Sequence, residues 1–127
     1  MTTPLQGTSL IGFSRGEPTK SLGPATNPAT GETFGIEYFG ASAAEVEKAA
    51  QLADQAFPIY ANLPGSKRAE FIRRIADEIE AAVELIAERG PLETGLPEAR
   101  MRGETARTTG QLRMFAALIE EGSWVDA

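Results

Sequence analysis

The feature that most constrains this sequence is a long helix predicted near its end, between Pro97 and Gly122. Proline suits the first helical position and glycine suits the residue after the last. The helix should therefore run from Pro97 to about Glu121. At about 100° per residue, one of its sides carries apolar residues with threonines beside them: Met101, Thr105, Thr108, Leu112, Phe115 and Ile119. That side predicts packing against other helices.

A second side of this helix carries Gly103, Ala106 and Gly110, roughly opposite the first. Glycine inside a helix costs about 1 kcal/mol relative to alanine, so two glycines on one stripe suggest that another backbone passes close by. The alternative is that both are merely tolerated. Because the rest of the chain offers only two further good helices and a ribbon, we expect other polypeptide, a partner or a missing C-terminal portion, to cover this side. The apolar Trp124 and Val125 that follow point the same way.

Four arginines lie on this helix and fall into two groups on the helical wheel. Arg102 and Arg113 lie together with Glu120, which is typical of a solvated face with weak ion pairs. Arg100 and Arg107 lie seven residues apart, between the two packing sides. The simplest interpretation of Arg107 is also a solvated side chain. The functional alternative is that its guanidinium offers a bidentate fork to a carboxylate.

Residues 1–40 predict an arm with little regular structure beyond two strands. Prolines and glycines interrupt this region, and no helical period is present. Strands are predicted at Ser9–Phe13 and Thr33–Phe39, and the sequence NPATGE at residues 27–32 predicts a turn. A two-stranded ribbon is marginal alone in water, so we expect this arm to lie on other structure.

Residues 41–127 predict three to four helices. Ser42 and Glu45 fit a capping box, followed by one apolar stripe: Val46, Ala49, Ala50, Ala53 and Phe57. Pro58 should end or kink that helix. A second helix should begin near Ser66 and break at Gly90-Pro91, with an apolar face formed by Ile72, Ile75, Ile79, Val83 and Ile86. The predicted class is therefore α+β, with a β-ribbon arm at 1–40 and a helical segment at 41–127.

Composition excludes several classes of function. The net charge of −6 and the pI near 4.7 argue against nucleic acid and anionic membrane as partners. No apolar run approaches the roughly 20 residues of a membrane span, and no signal-peptide pattern opens the chain, so we expect a cytoplasmic location. The chain has no cysteine and no histidine, which excludes thiolate or imidazole chemistry and the usual metal sites. No phosphate-binding glycine motif is present.

A series of short motifs occurs in one order along the chain: Asn27–Glu32, Ala41-Ser42, Glu45-Val46, Ala53, Ala56-Phe57, Arg68-Ala69, Ile75–Glu80, Glu93–Gly95, Pro97 and Gly103-Glu104. Over residues 9–127 this series resembles the N-terminal part of NAD(P)-dependent aldehyde dehydrogenases, which have an α/β fold. Residues 103–127 are most similar to the branch that oxidises α-ketoglutaric semialdehyde to 2-oxoglutarate. The chain departs from the family pattern at Tyr60, where tryptophan is usual, and at Pro58 and Pro91.

The resemblance implies an activity whose catalytic parts lie outside these residues. In this family a cysteine thiolate attacks the aldehyde, hydride passes to NAD or NADP, and a glutamate-activated water releases the acid. Those groups would follow the matched region, so residues 1–127 alone should be inactive and bind no cofactor, and the choice between NAD and NADP stays open. The resemblance further implies that the helical segment packs on the cofactor domain of a homo-oligomer.

The resemblance also places Arg107 in a tunnel-facing position, where it would bind the far carboxylate of a small-molecule aldehyde substrate. Arg100 is the weaker candidate for the same role. Two other hypotheses remain open. The chain could be a stand-alone interaction module that binds another chain, or an unrelated small helical binding domain with a closed core.

Overall fold

The computed structural model describes residues 5–125, and this part of the chain contains four strands followed by four helices. The predicted α+β class is confirmed. The chain divides into two compact units, Met1–Ile59 and Tyr60–Ala127. Sequence analysis predicted a β-ribbon arm at 1–40 and a helical segment at 41–127 that packs on a cofactor domain. This division stays a prediction. Its ranges include residues 1–4 and 126–127, which lie outside the described residues.

The strands form two separate antiparallel pairs. Strand β1 pairs with β2 through a tight hairpin, and β3 pairs with β4. The predicted strand at 33–39 is confirmed as β4, but the strand predicted at 9–13 is only two residues long and does not pair with it. The true partner of β4 is β3, which sequence analysis missed. The bounds are β1 Leu10–Ile11, β2 Ser14–Arg15, β3 Lys20–Thr26 and β4 Thr33–Gly40.

Strand β3 escaped prediction because Gly23 and Pro24 interrupt its alternation. The register shifts on both sides of these two residues, and in a two-stranded sheet the missing N–H of proline falls on an edge strand, where it is tolerated. The turn predicted at residues 27–32 is confirmed, and it joins β3 to β4. Asn27 closes it with a bond from the Gly31 N–H to the Asn27 carbonyl (2.8 Å), and Gly31 takes a φ of 75°.

Helix α1 (Ala43–Ala61) begins at the predicted capping box. The Ser42 hydroxyl accepts the Glu45 N–H at 3.2 Å, and the Glu45 carboxylate accepts the Ser42 N–H at 2.7 Å. The predicted end at Pro58 is wrong, because the helix continues for three residues beyond it. No residue of α1 is buried, and Val46 and Phe57 of the predicted apolar stripe are exposed.

The next predicted helix is two helices, α2 (Gly65–Ala81) and α3 (Val83–Thr94), which are separated at Ala82. The break predicted at Gly90-Pro91 is therefore misplaced, since both residues lie inside α3. At the actual break the Ala82 N–H is shared between the carbonyls of Glu78 and Ile79, at 3.2 and 3.1 Å. An alanine in a good helical sequence gives no signal of this change. Helix α3 ends at Gly95, in the left-handed conformation with φ 73°.

Helix α4 (Glu98–Glu121) has Pro97 at its N-cap, one position before the predicted one, and ends at Gly122 as predicted, with φ 77°. It packs against α2 and α3, so the second compact unit is an antiparallel helical arrangement. None of the described helices has both the length and the apolar character that a bilayer span needs. The core of this unit is made of small residues: Ala69, Ala76, Ala87, Thr105, Thr109 and Ala116.

Small core residues let the helices approach closely, and two glycines show where. A Cβ on Gly65 would lie 2.8 Å from the backbone oxygen of Ile119, and a Cβ on Gly90 would lie 2.6 Å from the Cε of Met101. The close approach predicted at Gly103 and Gly110 concerns polypeptide other than this chain and stays a prediction. In the described part of the chain, nothing lies within 4 Å of a Cβ built on either of them.

Candidate functional site

The inner face of α4 is the face that contacts α2 and α3. It is centred on Thr105, Thr109 and Ala116, so the predicted packing side was rotated from the observed one. Each buried threonine satisfies its hydroxyl within its own helix: Thr105 donates to the Met101 carbonyl at 2.9 Å, and Thr109 donates to the Ala106 carbonyl at 3.3 Å. These bonds remove the cost of burying the hydroxyls. Phe115, predicted on this side, is 45% exposed.

Arg102 lies at one edge of this face and makes the most extensive ion pairs of α4. Its Nη1 and Nη2 donate to the two carboxylate oxygens of Glu84 on α3, at 2.7 and 2.8 Å. Its Nε and Nη2 also donate to Oε1 of Glu98, at 2.9 and 2.8 Å. The bonds to Glu84, and then those to Glu98, raise the pKa of Arg102, and the pKa of Glu84 is lowered in return. The bidentate fork of Arg102 is therefore occupied within the chain.

Arg113 and Glu120 continue this edge toward the C-terminus of α4. Arg113 donates from Nη2 to Glu80 (2.7 Å) and to Asp77 (2.8 Å), both on α2. Glu120 accepts from Arg73, also on α2. The bond from Arg113 is the main cause that lowers the pKa of Glu80. The ion pairs predicted for Arg102 and Arg113 are present. Apart from the pair of Arg102 with Glu98, they join α4 to α2 and α3.

Arg100, the weaker of the two predicted substrate-binding residues, is paired within its own helix. Its Nη2 lies 2.7 Å from Oε1 of Glu104, one turn further along α4, and its side chain is 64% exposed. An exposed pair of this kind contributes little to stability. A substrate carboxylate would have to compete with Glu104 for this guanidinium.

Arg107, the stronger candidate, is exposed and lies on the outer face of α4, the face that points away from α2 and α3. Within residues 5–125 it takes part in no hydrogen bond or ion pair. The outer face also carries Gly103 and the exposed apolar side chains of Met114 and Leu118. Arg107 thus combines a fixed position on a long helix with an unused bidentate donor, which is the chemistry that a carboxylate requires.

A groove of about 320 Å³ lies beside the inner edge of α4, and neither predicted arginine lines it. Its walls are formed by Glu80, Val83, Arg102, Thr105, Ala106, Thr109, Gly110 and Arg113. The two arginines and the glutamate in these walls are already paired with one another or with neighbours. Among residues 5–125, no group of three or more carboxylate side chains lies together as metal ligands would.

Sequence analysis did not identify the ion pairs between helices. The shared wheel position of Arg102, Arg113 and Glu120 was noticed, and the carboxylates on α2 and α3 follow a similar spacing. No local signal in the sequence pairs the two sets, because the pairing depends on the register between the helices. The structure leaves the predicted role of Arg107 and Arg100 in substrate binding untested, because no substrate-binding cavity is formed around them in the described residues.

Known proteins of one family are similar to this chain over most of its length. Residues 15–124 match the aldehyde dehydrogenase family. The chain is 42% identical over 124 residues to alpha-ketoglutaric semialdehyde dehydrogenase 2 of Azospirillum brasilense, which covers 97% of this chain and 24% of that protein. It is 43% identical over 93 residues to alpha-ketoglutaric semialdehyde dehydrogenase of Acinetobacter baylyi, covering 73% of this chain and 18% of that protein.

A solved structure shares the fold. The crystal structure of PnpE in complex with nicotinamide adenine dinucleotide is 26% identical to the chain and matches it with a TM-score of 0.80, over 92% of this chain and 24% of that one. The α+β architecture of the described residues thus matches one portion of that longer protein's fold. The chain belongs to the aldehyde dehydrogenase family. It spans about a quarter or less of the length of the curated relatives named above.

Proposed function

We propose that this chain is the N-terminal segment of a longer NAD(P)-dependent aldehyde dehydrogenase that oxidises a carboxylated semialdehyde, with α-ketoglutaric semialdehyde converted to 2-oxoglutarate. The observation that carries the proposal is the 42% identity to the Azospirillum brasilense enzyme across 97% of this chain. The reaction consumes the aldehyde, water and NAD(P)⁺ and gives the carboxylate, NAD(P)H and two protons. The catalytic residues and the cofactor site would belong to the remainder of the longer chain.

Surfaces that remain uncovered support a role as part of a larger body. The outer face of α4 carries the exposed Met114 and Leu118, and α1 carries the exposed Phe57. On α2, the Nε of Arg68 is enclosed without a hydrogen-bond partner in the described residues. Buried donors are nearly always paired in complete structures. We infer that further polypeptide of the same enzyme covers these surfaces, within a cytoplasmic homo-oligomer.

Arg107 would act on the substrate in this proposal, and Arg100 would be secondary to it. A semialdehyde with a carboxylate at its far end offers two oxygens to a guanidinium, and Arg107 has its five N–H groups unused in the described chain. Binding at this end would orient the aldehyde and exclude substrates that lack the charge. Arg100 is already paired with Glu104.

The test uses a chimera in which residues 1–127 replace the matching quarter of the Azospirillum brasilense relative. We expect NAD(P)⁺ reduction by the chimera and none by residues 1–127 alone. In the chimera, Arg107→Ala should raise KM for a carboxylated semialdehyde about 10- to 100-fold, the usual effect of losing a charged hydrogen bond, and change KM for a neutral aldehyde little. Arg100→Ala is the matched control and should have the smaller effect.

Each outcome bears on a different part of the proposal. Activity from residues 1–127 alone would contradict the assignment as a segment. Equal effects of Arg107→Ala on acidic and neutral aldehydes would remove its role in carboxylate binding and leave the family assignment intact. The same uncovered surfaces also fit a stand-alone module that binds another chain. That alternative predicts an inactive chimera and a stable complex between residues 1–127 and a separate protein.

A further inference from the structure

Glu45, in the first turn of α1, binds two segments of the chain that are far apart in sequence. Its Oε2 accepts the N–H of Ser42 at 2.7 Å, which completes the capping box. Its Oε1 accepts the N–H of Glu17 at 2.7 Å, across 28 residues. One carboxylate therefore joins the start of α1 to the segment that directly follows strand β2.

This contact depends on the residue before Glu17. A Cβ on Gly16 would lie 2.5 Å from Oε1 of Glu45, so any larger residue here would require the Glu45 carboxylate to move. Gly16 also donates its N–H to the Ser9 carbonyl at 2.9 Å, which ties together the two ends of the β1–β2 hairpin. The hairpin and its flanking residues, 9–17, therefore form one unit that Glu45 holds.

A second contact holds the same hairpin further along α1. A Cβ on Gly12, in the hairpin turn, would lie 3.1 Å from the Cδ1 of Leu52. Leu52 follows Glu45 by seven residues, two helical turns, so both lie on one face of α1. Between the hairpin and this face is an apolar groove that Ile11 and Ile59 help to line. The hairpin is therefore held on α1 by an apolar contact at Leu52 and by a polar contact at Glu45.

We propose that Glu45 is a pH-dependent latch, whose ionised carboxylate holds the β1–β2 hairpin on α1 and whose protonation releases the hairpin and opens the apolar groove beneath it. Both oxygens are used as acceptors, and a protonated carboxyl group loses one of them. This inference is independent of the proposed catalytic role, since it concerns only the described contacts within the first compact unit.

The electrostatics of the site set the direction of the switch. Hydrogen bonds from the Ser42 and Glu17 backbones lower the pKa of Glu45, and Lys48 on α1 adds to this effect. Other charged groups on the packed elements are Glu17 itself and Arg15 in β2. Because the folded-state pKa is lowered, the latch is fully closed above the ordinary glutamate pKa of about 4.3. It opens as the pH falls through the lowered value.

The test measures backbone amides of the 127-residue chain by NMR. We expect the Glu17 and Ser42 amide protons to titrate with one shared midpoint, below the usual glutamate value of about 4.3. Glu45→Gln should abolish both titrations and, at neutral pH, speed hydrogen exchange at Glu17 about tenfold, because glutamine has only one acceptor oxygen for two donors. Glu17→Gln is the control, since it removes the neighbouring carboxylate and keeps the amide.

Gly16→Ala tests the latch without altering the capping box. The new Cβ should displace the carboxylate from Glu17, so the Glu17 amide should lose its titration while the Ser42 amide keeps it. Gly103→Ala, which adds a methyl group in open space, should leave both unchanged. The latch is refuted if Glu17 keeps the wild-type titration and exchange rate in Glu45→Gln or in Gly16→Ala.

Discussion

The two faces of α4 carry similar residue types in opposite situations. On the inner face, Arg102 and Arg113 are paired with carboxylates of α2 and α3, and small residues bring the helices together. On the outer face, Arg107 is unpaired in the described chain, and Gly103 is open. The composition of a helical stripe thus does not tell which face packs within the chain. The positions of the partner carboxylates decide that.

The largest effect should come from enlarging a residue of the inner face. Ala116 is fully buried against the other helices, whereas its neighbour Ala117 is exposed. Ala116→Leu should destabilise the chain by about 2 to 3 kcal/mol, because a close-packed core of small residues has no room for three more carbons. Ala117→Leu, the same change on the outer side, should cost less than about 0.5 kcal/mol. Urea unfolding followed by circular dichroism measures both. Equal losses would show that the two faces do not differ.

A smaller change in stability is expected when Gly65 or Gly103 is replaced by alanine, and its sign should differ between the two positions. Gly65→Ala should destabilise the chain by about 1 kcal/mol or more, because the new methyl group meets the backbone oxygen of Ile119. Gly103→Ala should stabilise it by up to about 1 kcal/mol, since alanine favours a helix and nothing obstructs the methyl group. Thermal unfolding of the two variants gives the comparison.

The substitution Gly103→Ala also tests the proposal that further polypeptide covers the outer face of α4. In the active chimera, Gly103→Ala should reduce the yield of folded enzyme if another backbone passes close to this residue. If the substitution stabilises the chimera as it stabilises the 127-residue chain, Gly103 is merely tolerated in the helix. The interpretation of a second packing side would then be wrong.

Local sequence signals predicted those elements whose ends are marked by capping or turn residues. The capping box of Ser42 and Glu45, the turn at Asn27–Gly31 and the stop at Gly122 were all predicted, because each depends on residues close in sequence. The strand that contains Pro24 and the break at Ala82 were not predicted. In both places the pairing or packing of a distant segment overrides the local preference.

The site was less accessible to prediction than the fold. Helical periodicity placed Arg102, Arg113 and Glu120 on one side of α4 correctly, but it could not identify their partners on α2 and α3. Periodicity also could not distinguish the glycines that need close approach, Gly65 and Gly90, from those that are open. That distinction depends on the angle and the register between helices, which a single sequence does not encode in any local pattern.

The smallest effect should distinguish two arginines five residues apart. Arg102→Met removes the bonds to Glu84 and Glu98, whereas Arg107→Met removes none in the described chain. We expect Arg102→Met to lower Tm by about 2 °C at low salt and Arg107→Met to leave it unchanged.

The pKa of Glu84 is lowered by Arg102, so the contribution of the pair is present above about pH 4.3 and is lost as the pH falls through the lowered value. The difference between the two variants should therefore vanish in strong acid and in 1 M salt. A difference that persists under both conditions would mean that Arg102 acts through the packing of its aliphatic stem, and the contrast between the two faces would then be one of contact rather than charge.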